Sequence, residues 1–496
     1  MALKYGKCTN FGLCAKADTH ETQSLPDTAD FVCQECKRQL TPVGGAPGGS
    51  GKPRAAVWLL GLLLLAVIAL ALWLIMRGHK PGSPPGVATS SVPILRLSGS
   101  NTIGAQLAPD LVEAWLSSRR ATNIRRTQSG PEETTITANQ GGTDVSVVVK
   151  AHGSTTAFTD LAAKNSDLGM ASRKIKPGEA ADLQSRGLGD FTSNANERVL
   201  GLDGVAVIVN ESNPTDSMSK DQVAGIFSGG ASQQNLNLYA RDDKSGTYDT
   251  FKDRVLGSRS LASNAKRFED SRALVSAVAQ DRNGIGFVGL PYAVGVKVLA
   301  IAERGATPLI PNTMTVRTES YPLARRLYLY VPDDARNEAR EFVTFGLSPA
   351  GQDIVEKDGF VGQKVAILNA QEGSTSPILR PISQIGDRLS VDFRFRTGSS
   401  QLDTKAVDDI KRVAAAMSSQ FRDRGVILVG FADSTGNPTS NLRLSKDRAQ
   451  AVASQLRTQG IEPGLITGFG QALPVADNAS PEGREKNRRV ELWLRK

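Results

Sequence analysis

Residues 241–247 read RDDKSGT, a short polar turn of the kind that opens a helix. Two similar turns precede it, SGSNT at residues 98–102 and HGSTT at residues 152–156. Helix N-termini present unpaired backbone N–H groups and the positive end of the helix dipole. Hydroxyl donors and the guanidinium fork of Arg241 would complete a cage for a tetrahedral oxyanion. Taken singly, each turn is better explained by a Ser or Thr helix cap.

Strand-like and helix-like patterns alternate around these turns. Apolar runs predict strands in ILRLSG (94–99), DVSVVVKAHG (144–153), LGLDGVAVIVN (200–210) and NGIGFVGL (283–290), and the intervals predict a helix over Ala105–Trp115. Strands that alternate with helices are typical of parallel α/β sheets. The length of this region, residues 93–370, predicts two lobes.

The joint order of five motifs resembles the periplasmic phosphate-binding proteins of the PstS type. These are the three turns, SDLGMASRKI at residues 166–175 and YPLARRLYLYVP at residues 321–332. The resemblance implies a type II periplasmic-binding-protein clamshell over residues 93–370, not an enzyme, whose cleft binds phosphate or a similar oxyanion. It places the phosphate contacts at Thr102, Ser154, Arg241, Ser245, Gly246 and Thr247.

One position departs from that family. Where the family has a carboxylate that accepts a hydrogen bond from protonated phosphate, this chain has Ser172, followed by Arg173. A hydroxyl both donates and accepts, so discrimination against sulfate is expected to weaken, and Arg173 is expected to add positive charge. His152 and Ser154 lie too close in sequence to align as base and nucleophile, so no catalytic residue is predicted.

The last part of the chain predicts a compact α/β sandwich. Strands are expected in LSVDFRF (389–395), GVILVGF (425–431) and RVELWLR (489–495), and helices over Lys405–Met417 and Asn441–Leu456. The segment DSTG at residues 433–436, the pattern N-x-x-L-S-x-x-R-A from residue 441 and NRRVE at residues 487–491 resemble the OmpA-like peptidoglycan-binding domain.

A zwitterion clamp can be read from these residues. Asp433 would take an ammonium group and Arg448 a carboxylate, as in the diaminopimelate of a peptidoglycan stem peptide. Asn441 would add amide hydrogen bonds, and Arg488 is a further candidate. The alternative is an internal salt bridge between aspartate and arginine. Phe431 and Ala432 replace the histidine and threonine that usually precede the aspartate in the family.

Four cysteines occupy the first tenth of the chain, as the pairs Cys8 with Cys14 and Cys33 with Cys36. Four thiolates in two close pairs can surround one Zn²⁺ ion tetrahedrally, and its binding would supply the folding energy that fifty residues lack. A structural zinc ribbon is therefore predicted. Four free thiols remain the alternative, and His20 is expected to be a solvated loop residue rather than a ligand.

Residues 55–76 form an uncharged apolar run with Trp58 and Trp73 near its ends, long enough for a transmembrane helix. The run is too long and begins too late for a cleaved signal peptide. Positive charge is greater on its N-terminal side, so the N-terminus is expected in the cytoplasm and the large C-terminal part in the periplasm of a bacterial inner-membrane protein. Thiols confined to the cytoplasmic side agree with this orientation.

Composition adds bounds on function. The chain has 496 residues, 40% hydrophobic and 22% charged, and a formal net charge of +9. The basic residues form no arm or stripe, so nucleic-acid binding is not expected. The segments predicted are a zinc ribbon (1–40), a linker (41–54), a membrane helix (55–76), a linker (77–92), the clamshell (93–370), a linker (371–384) and the OmpA-like domain (385–496).

These predictions combine into a membrane-anchored oxyanion-binding protein that also binds peptidoglycan, as an envelope sensor or scaffold. An unidentified cytoplasmic partner would contact the ribbon. The alternative is a structural tether from membrane to wall, whose clamshell has lost its small ligand and binds a protein instead.

Overall fold

The structure is a computed structural model that describes residues 3–10, 14–19, 21–43, 93–230, 235–304, 308–368, 377–395 and 401–496. The chain divides into two units, Met1–Thr89 and Ser90–Lys496. In the first unit, β1 (Leu3–Lys7) pairs antiparallel with β2 (Thr22–Pro26) and with β3 (Thr41–Pro42), and a short helix, α1 (Ala15–Asp18), lies between β1 and β2 in the chain.

The predicted membrane helix at residues 55–76 lies outside the described residues, as do the linkers on either side of it from residue 44 to residue 92. Among the residues that the structure does describe, none of the helices has the length and apolar character needed to cross a bilayer.

The second unit begins with a large mixed sheet flanked by helices. Its strands, together with those of a small neighbouring sheet, are β4 Leu95–Gly99, β5 Thr122–Gly130, β6 Glu133–Gln140, β7 Thr143–Lys150, β8 Leu168–Ala171, β9 Glu197–Val209, β10 Ser217–Ser219, β11 Asn237–Arg241, β12 Lys266–Phe268, β13 Gly284–Gly289, β14 Lys297–Val298, β15 Ala300–Ala302 and β16 Ala324–Tyr330. Its α-helices are α2 Asn101–Gly104, α3 Leu107–Ser118, α4 Ser154–Ala162, α5 Pro177–Ser185, α6 Lys220–Phe227, α7 Gly246–Phe251, α8 Ser271–Gln280, α9 Thr313–Arg317, α10 Asn337–Leu347 and α11 Pro349–Lys357.

Two lobes share this sheet, in the order β12-β11-β13-β9-β16-β8-β4-β7-β6-β5. Lobe 1 (residues 93–200 and 327–360) packs around Leu97, Trp115 and Phe342, and lobe 2 (residues 201–326) around Phe227, Phe251 and Phe287. In lobe 2, the Phe251 and Phe287 rings stack with centroids 3.9 Å apart. Two separate apolar cores joined by two strands give the clamshell that the sequence predicts.

The sheet is mixed, whereas the sequence predicts parallel sheets. β4 pairs parallel with β7 and β8, and β11 with β12 and β13, as expected. β9 pairs antiparallel with β16, because one strand carries the chain into lobe 2 and the other carries it back. The hairpin of β5 and β6 was not predicted, since its strands are polar and mostly exposed.

The C-terminal part is a four-stranded sheet in the order β17-β20-β18-β19, with strands β17 Gly386–Arg394, β18 Val426–Gly430, β19 Pro463–Gly468 and β20 Arg489–Arg495. Its α-helices are α12 Arg380–Ile385, α13 Thr404–Ser419, α14 Pro438–Arg457 and α15 Pro481–Asn487. Residues 377–384, part of the predicted linker, are helical, and Leu379 and Ile382 pack on Trp493 of the sheet.

The C-terminal domain packs against both lobes of the clamshell within one unit. On lobe 1, the Thr404 hydroxyl donates to Glu197 at 2.6 Å. On lobe 2, Arg394 donates to the Thr318 carbonyl at 2.9 Å, and Lys486 donates to the Tyr321 and Pro322 carbonyls at 3.0 Å each.

Candidate functional site

The three polar turns converge at the meeting point of the two lobes, each at the start of a helix. α2 begins at Asn101, α4 at Ser154 and α7 at Gly246. Ser245 is the N-cap of α7, and its hydroxyl accepts hydrogen bonds from the N–H groups of Thr247 and Tyr248. A Cβ on Gly246 would overlap the Ser154 hydroxyl of the opposite lobe, so only glycine allows this approach.

Ser172, which follows β8, lies at the centre of a cluster of hydroxyls. Its Oγ accepts from Ser100 Oγ at 3.1 Å and lies 3.4 Å from Ser154 Oγ. Its backbone N–H donates to Ser154 Oγ at 3.0 Å. Across the cleft, Thr102 Oγ1 and Thr247 Oγ1 are 3.3 Å apart. The predicted anion contacts of lobe 1 and lobe 2 are thus brought together, with oxygens that can turn toward a ligand.

Arg325, the second residue of β16, contacts this cluster of hydroxyls. Its Nη1 donates to Thr247 Oγ1 at 2.8 Å and to Ser172 Oγ at 3.3 Å, and its Nη2 donates to Thr102 Oγ1 at 3.2 Å. Asp203 accepts from Arg325 Nε at 2.9 Å and Nη2 at 2.6 Å. A buried cation therefore touches three of the hydroxyls predicted to bind the anion, and one carboxylate balances its charge.

Arg241 is fully buried, and its guanidinium is held by residues from the end of β12 to the start of α8. It donates to the Phe268 carbonyl, to Ser271 Oγ and to the Glu269 carbonyl. Burial lowers the pKa of Arg241, and the nearby Arg325 lowers it further against the attraction of Asp242. Two buried guanidinium groups that repel each other make this part of the lobe junction favourable for negative charge.

Arg173 points away from the hydroxyl cluster. It pairs with Glu179 of lobe 1 and Asp249 of lobe 2, each with a shortest contact of 2.6 Å. Its charge is therefore balanced by two carboxylates, and its contact with Asp249 joins the lobes. Breaking such a buried pair by removing one partner costs about 3–5 kcal/mol.

His152 also joins the lobes and does not contact Ser154 in the manner of a general base. Its Nε2 lies 3.1 Å from Glu133 of lobe 1, and its Nδ1 lies 3.2 Å from Glu269 of lobe 2. Burial alone would lower the pKa of His152, but the hydrogen bonds to Glu269 and Glu133 outweigh it and raise the pKa.

Sequence reasoning missed Arg325 and Asp203, and it included Ser100 only as a member of the turn at residues 98–102. A signal for Arg325 was present, because side chains alternate along a strand and Arg325 shares a face of β16 with the core residues Leu327 and Leu329. A charged residue at an inward position needs a buried partner, which indicates a polar site.

In the C-terminal domain, the predicted clamp residues come together at the end of β18. Asp433 accepts from Arg488 Nη1 at 3.0 Å and from the Thr435 N–H at 2.8 Å. Arg448 donates to the Phe431 carbonyl at 3.5 Å, and Asn441 to Gln471 at 2.7 Å. The internal salt bridge considered from the sequence is thus present, with Arg488 rather than Arg448 as the partner of Asp433.

Several donors in this clamp lack a partner. Arg448 Nε and both Nε and Nη2 of Arg488 are buried without a hydrogen bond among the residues that the structure describes. Burial lowers the pKa of Arg448, and the neighbouring Arg488 adds repulsion. Burial opposes ionisation of Asp433, but hydrogen bonds from Thr435 and Arg488 outweigh it and hold its pKa below the usual value. Unpaired, desolvated guanidinium donors of this kind suit a carboxylate.

The four cysteine sulfurs of the N-terminal unit lie within 4.8 Å of one another. Cys8 and Cys36 Sγ are 3.5 Å apart, and Cys14 and Cys33 Sγ are 3.7 Å apart. A tetrahedral site with Zn–S bonds of about 2.3 Å needs sulfurs about 3.8 Å apart, so the cluster has the size of a metal site. The backbone N–H of Cys36 is the main group that lowers the pKa of Cys33, to about 6, whereas burial raises the pKa of Cys14. His20 lies outside the described residues.

Comparison with known proteins finds two families in the chain. Residues 127–350 match the PBP superfamily domain, and residues 394–488 match the OmpA family. The clamshell is thus a PstS-like domain of the PBP type, joined to an OmpA domain.

Individual proteins resemble the two parts. Protein SphX of Synechococcus elongatus is 30% identical over 239 residues, which cover 44% of this chain and 69% of that protein. Phosphate-binding protein PstS of Pseudomonas aeruginosa is 29% identical over 245 residues, 44% of this chain and 74% of that protein. The crystal structure of the peptidoglycan-associated lipoprotein from Burkholderia pseudomallei covers 21% of this chain and 89% of its own, with 24% identity and a TM-score of 0.20.

Proposed function

The chain belongs to the PBP superfamily, and from that premise we propose that its clamshell binds a tetrahedral oxyanion, phosphate first, between the two lobes. The observation that carries the proposal is the position of Arg325, whose guanidinium touches the hydroxyls of Thr102, Ser172 and Thr247. An anion in this cluster would accept hydrogen bonds from hydroxyls that now bond to one another. It would also relieve the repulsion between Arg241 and Arg325.

The contacts divide into two roles. Thr102, Ser154, Ser172 and Thr247 would donate hydroxyl hydrogen bonds, and Gly246 would offer the backbone N–H at the start of α7. Ser245 holds that helix start in place as its N-cap. Arg241 and Arg325 would supply charge, while Arg173, engaged with Glu179 and Asp249, would hold the lobes together rather than touch the anion.

Selectivity follows from the absence of a carboxylate at position 172. No acceptor reserved for a protonated oxygen is present there, so phosphate and sulfate are expected to bind with affinities closer than a carboxylate would allow. We assign the domain a binding role rather than a catalytic one.

Isothermal titration of the anion-free full chain in detergent tests this proposal. Phosphate should bind with one ion per clamshell, and Thr247→Val should weaken binding about tenfold or more, because a hydrogen bond to a charged group contributes about 1.5–3 kcal/mol. Thr159→Val, an exposed position on α4, is the matched control and should bind as wild type. Absence of heat with phosphate and sulfate alike would favour the structural tether that binds a protein instead.

For the C-terminal domain we propose binding of peptidoglycan through a stem-peptide zwitterion. The free donors of Arg448 and Arg488 would take the carboxylate, Asp433 the ammonium group, and Asn441 would add amide hydrogen bonds. Pull-down with purified sacculi tests this assignment: Asp433→Ala combined with Arg448→Ala should abolish retention, whereas Arg443→Ala, whose side chain is 87% exposed, should not.

We propose that the protein lies in the cell envelope, which the PBP and OmpA domains support, and we propose the finer arrangement from sequence. Residues 55–76 would anchor it in the inner membrane, the cysteine cluster would hold structural Zn²⁺ in the cytoplasm, and the rest would face the periplasm and wall. Elemental analysis should give one zinc per chain, lost in a Cys33→Ser variant. A protein tied to both membrane and wall is suited to sensing or scaffolding rather than diffusive delivery.

A further inference from the structure

A cavity of about 300 Å³ lies where the two lobes meet the C-terminal domain. We call it the junction cavity. Lys174 of lobe 1, Arg254 and Arg326 of lobe 2, and Arg394 and Lys486 of the C-terminal domain all line it. Its volume is at the lower end of the range for small-molecule sites. Arg325 also lines the junction cavity, but its guanidinium donates to the hydroxyl cluster of the clamshell, and none of those hydroxyl residues lines the cavity.

Part of the charge around the junction cavity is balanced. Glu319 pairs with Arg326 at 2.7 Å and with Arg394 at 2.8 Å, and Asp403 pairs with Arg326 at 2.8 Å. Two arginines and two carboxylates thus form a chain of ion pairs across the domain junction, and their charges balance. The carboxylates of this network are already engaged and leave little charge to balance any further cation.

Arg254 and Lys486 are the cations left over. Among the described side chains, no carboxylate oxygen lies within 4.0 Å of either. Lys486 donates to the Tyr321 and Pro322 carbonyls, and Arg254 donates to the Ala324 and Pro322 carbonyls. Carbonyl oxygens satisfy hydrogen bonds, yet they do not neutralise a desolvated charge.

The environment of Lys486 shows the same imbalance. The residue is 8% exposed, and burial, with repulsion from Arg254, lowers its pKa to about 7, so an anion bound beside it would favour the charged ammonium form. Glu303 and Glu319 act on it only from a longer distance. Lys174, exposed on the lobe 1 side, adds a further cation, while Glu485 is the one remaining lining carboxylate among the described residues and is exposed to water.

We propose that the junction cavity is a second anion site, which takes a small multivalent anion with carboxylate or phosphoryl oxygens between Arg254 and Lys486. The charges come from both sides of the domain junction, so the bound anion joins the clamshell to the C-terminal domain. The two basic side chains proposed to hold this anion, Arg254 and Lys486, are not among the residues proposed to bind phosphate in the cleft, so the two sites can be tested separately.

The test is titration of the full chain with pyrophosphate and, separately, with citrate, in the presence of saturating phosphate. One probe molecule should bind per chain, and Lys486→Met or Arg254→Met should weaken binding about tenfold or more, the loss expected for one charge-assisted hydrogen bond. Preference for pyrophosphate would identify phosphoryl chemistry, and preference for citrate would identify carboxylate chemistry. Lys446→Met, exposed on α14, is the matched control and should leave binding unchanged.

A thermal unfolding scan of each variant distinguishes loss of probe binding from loss of folding. The probe should raise the unfolding midpoint of wild type and of Thr247→Val, which weakens anion binding in the cleft only, and should not raise that of Lys486→Met. No binding of either probe to folded wild-type protein would overturn the proposal. If folded Lys486→Met and Arg254→Met bind the probe as tightly as wild type, the proposal is overturned as well.

Discussion

The clamshell cleft and the C-terminal clamp both rely on buried arginines, but they prepare them differently. In the cleft, Arg325 donates two hydrogen bonds to one carboxylate oxygen of Asp203 and others to hydroxyl groups. In the clamp, Arg448 and Arg488 keep buried N–H groups without a partner among the described residues. A satisfied cation holds a site in shape before the ligand arrives, whereas unsatisfied donors leave hydrogen bonds for the ligand to complete.

The largest effect on the free energy of unfolding should come from removing the carboxylate that pairs with Arg325 in the cleft. Asp203→Asn removes the charge that balances Arg325 and leaves a buried cation, so the free energy of unfolding should fall by about 3–5 kcal/mol. Urea unfolding of the full chain measures it. Saturating phosphate should recover part of the loss, because the anion supplies the missing charge. Asp182→Asn, on an exposed helical pair, is the control, and a similar loss there would contradict the account.

In the C-terminal clamp, substitution should reduce ligand binding and leave the free energy of unfolding unchanged or higher. Arg448→Met should reduce sacculus binding about tenfold or more, since a charge-assisted contact contributes about 1.5–3 kcal/mol. Stability should stay the same or rise, because the variant removes a buried, partly unsatisfied cation. Pull-down and urea unfolding on the same preparation separate the two quantities. If Arg448→Met unfolds more easily and still binds sacculi, the arginine is structural.

Restoring a carboxylate in the cleft should change selectivity more than affinity. In Ser172→Asp, the new group can accept a hydrogen bond from protonated phosphate and repels sulfate, so the ratio of sulfate to phosphate dissociation constants should rise about tenfold. Competitive titration measures the ratio. Ser185→Asp, exposed on α5, adds the same charge elsewhere and should not alter it. An unchanged ratio in Ser172→Asp would place the anion away from Ser172.

The smallest effect should come from His152. Because its pKa is raised in the folded chain, its contribution is present below the unfolded value of about 6.5 and is lost as pH rises through the folded value. The stability difference between wild type and His152→Gln should be under about 1 kcal/mol at pH 5.5 and smaller still at pH 8.5. Urea unfolding at both values checks it, and a difference that grows with pH would contradict the assigned contacts.

Much of the fold could be predicted because apolar runs mark buried strands. β9, β18 and β20 lie within one or a few residues of the predicted positions. The hairpin of β5 and β6 could not, since its polar strands show no alternation. The direction of β16 against β9 depends on how the chain returns from lobe 2, which local sequence does not encode.

The sites were predictable in their turns and not in their long-range pairs. The three turns and the clamp residues can be recognised from short motifs. The pairing of Arg325 with Asp203, 122 positions apart, and that of Arg173 with Asp249 depend on closure of the two lobes. The junction between clamshell and C-terminal domain involves single side chains such as Lys486, which belong to no motif that would predict their contacts.

The most direct test is an anomalous diffraction experiment on crystals of the full chain grown with arsenate, a tetrahedral analogue of phosphate. We expect an arsenic peak in the cleft, with the arsenate oxygens within hydrogen-bond reach of Thr102, Thr247 and the Arg325 guanidinium. A cleft without an arsenic peak, at an arsenate concentration that saturates the protein in titration, would contradict it.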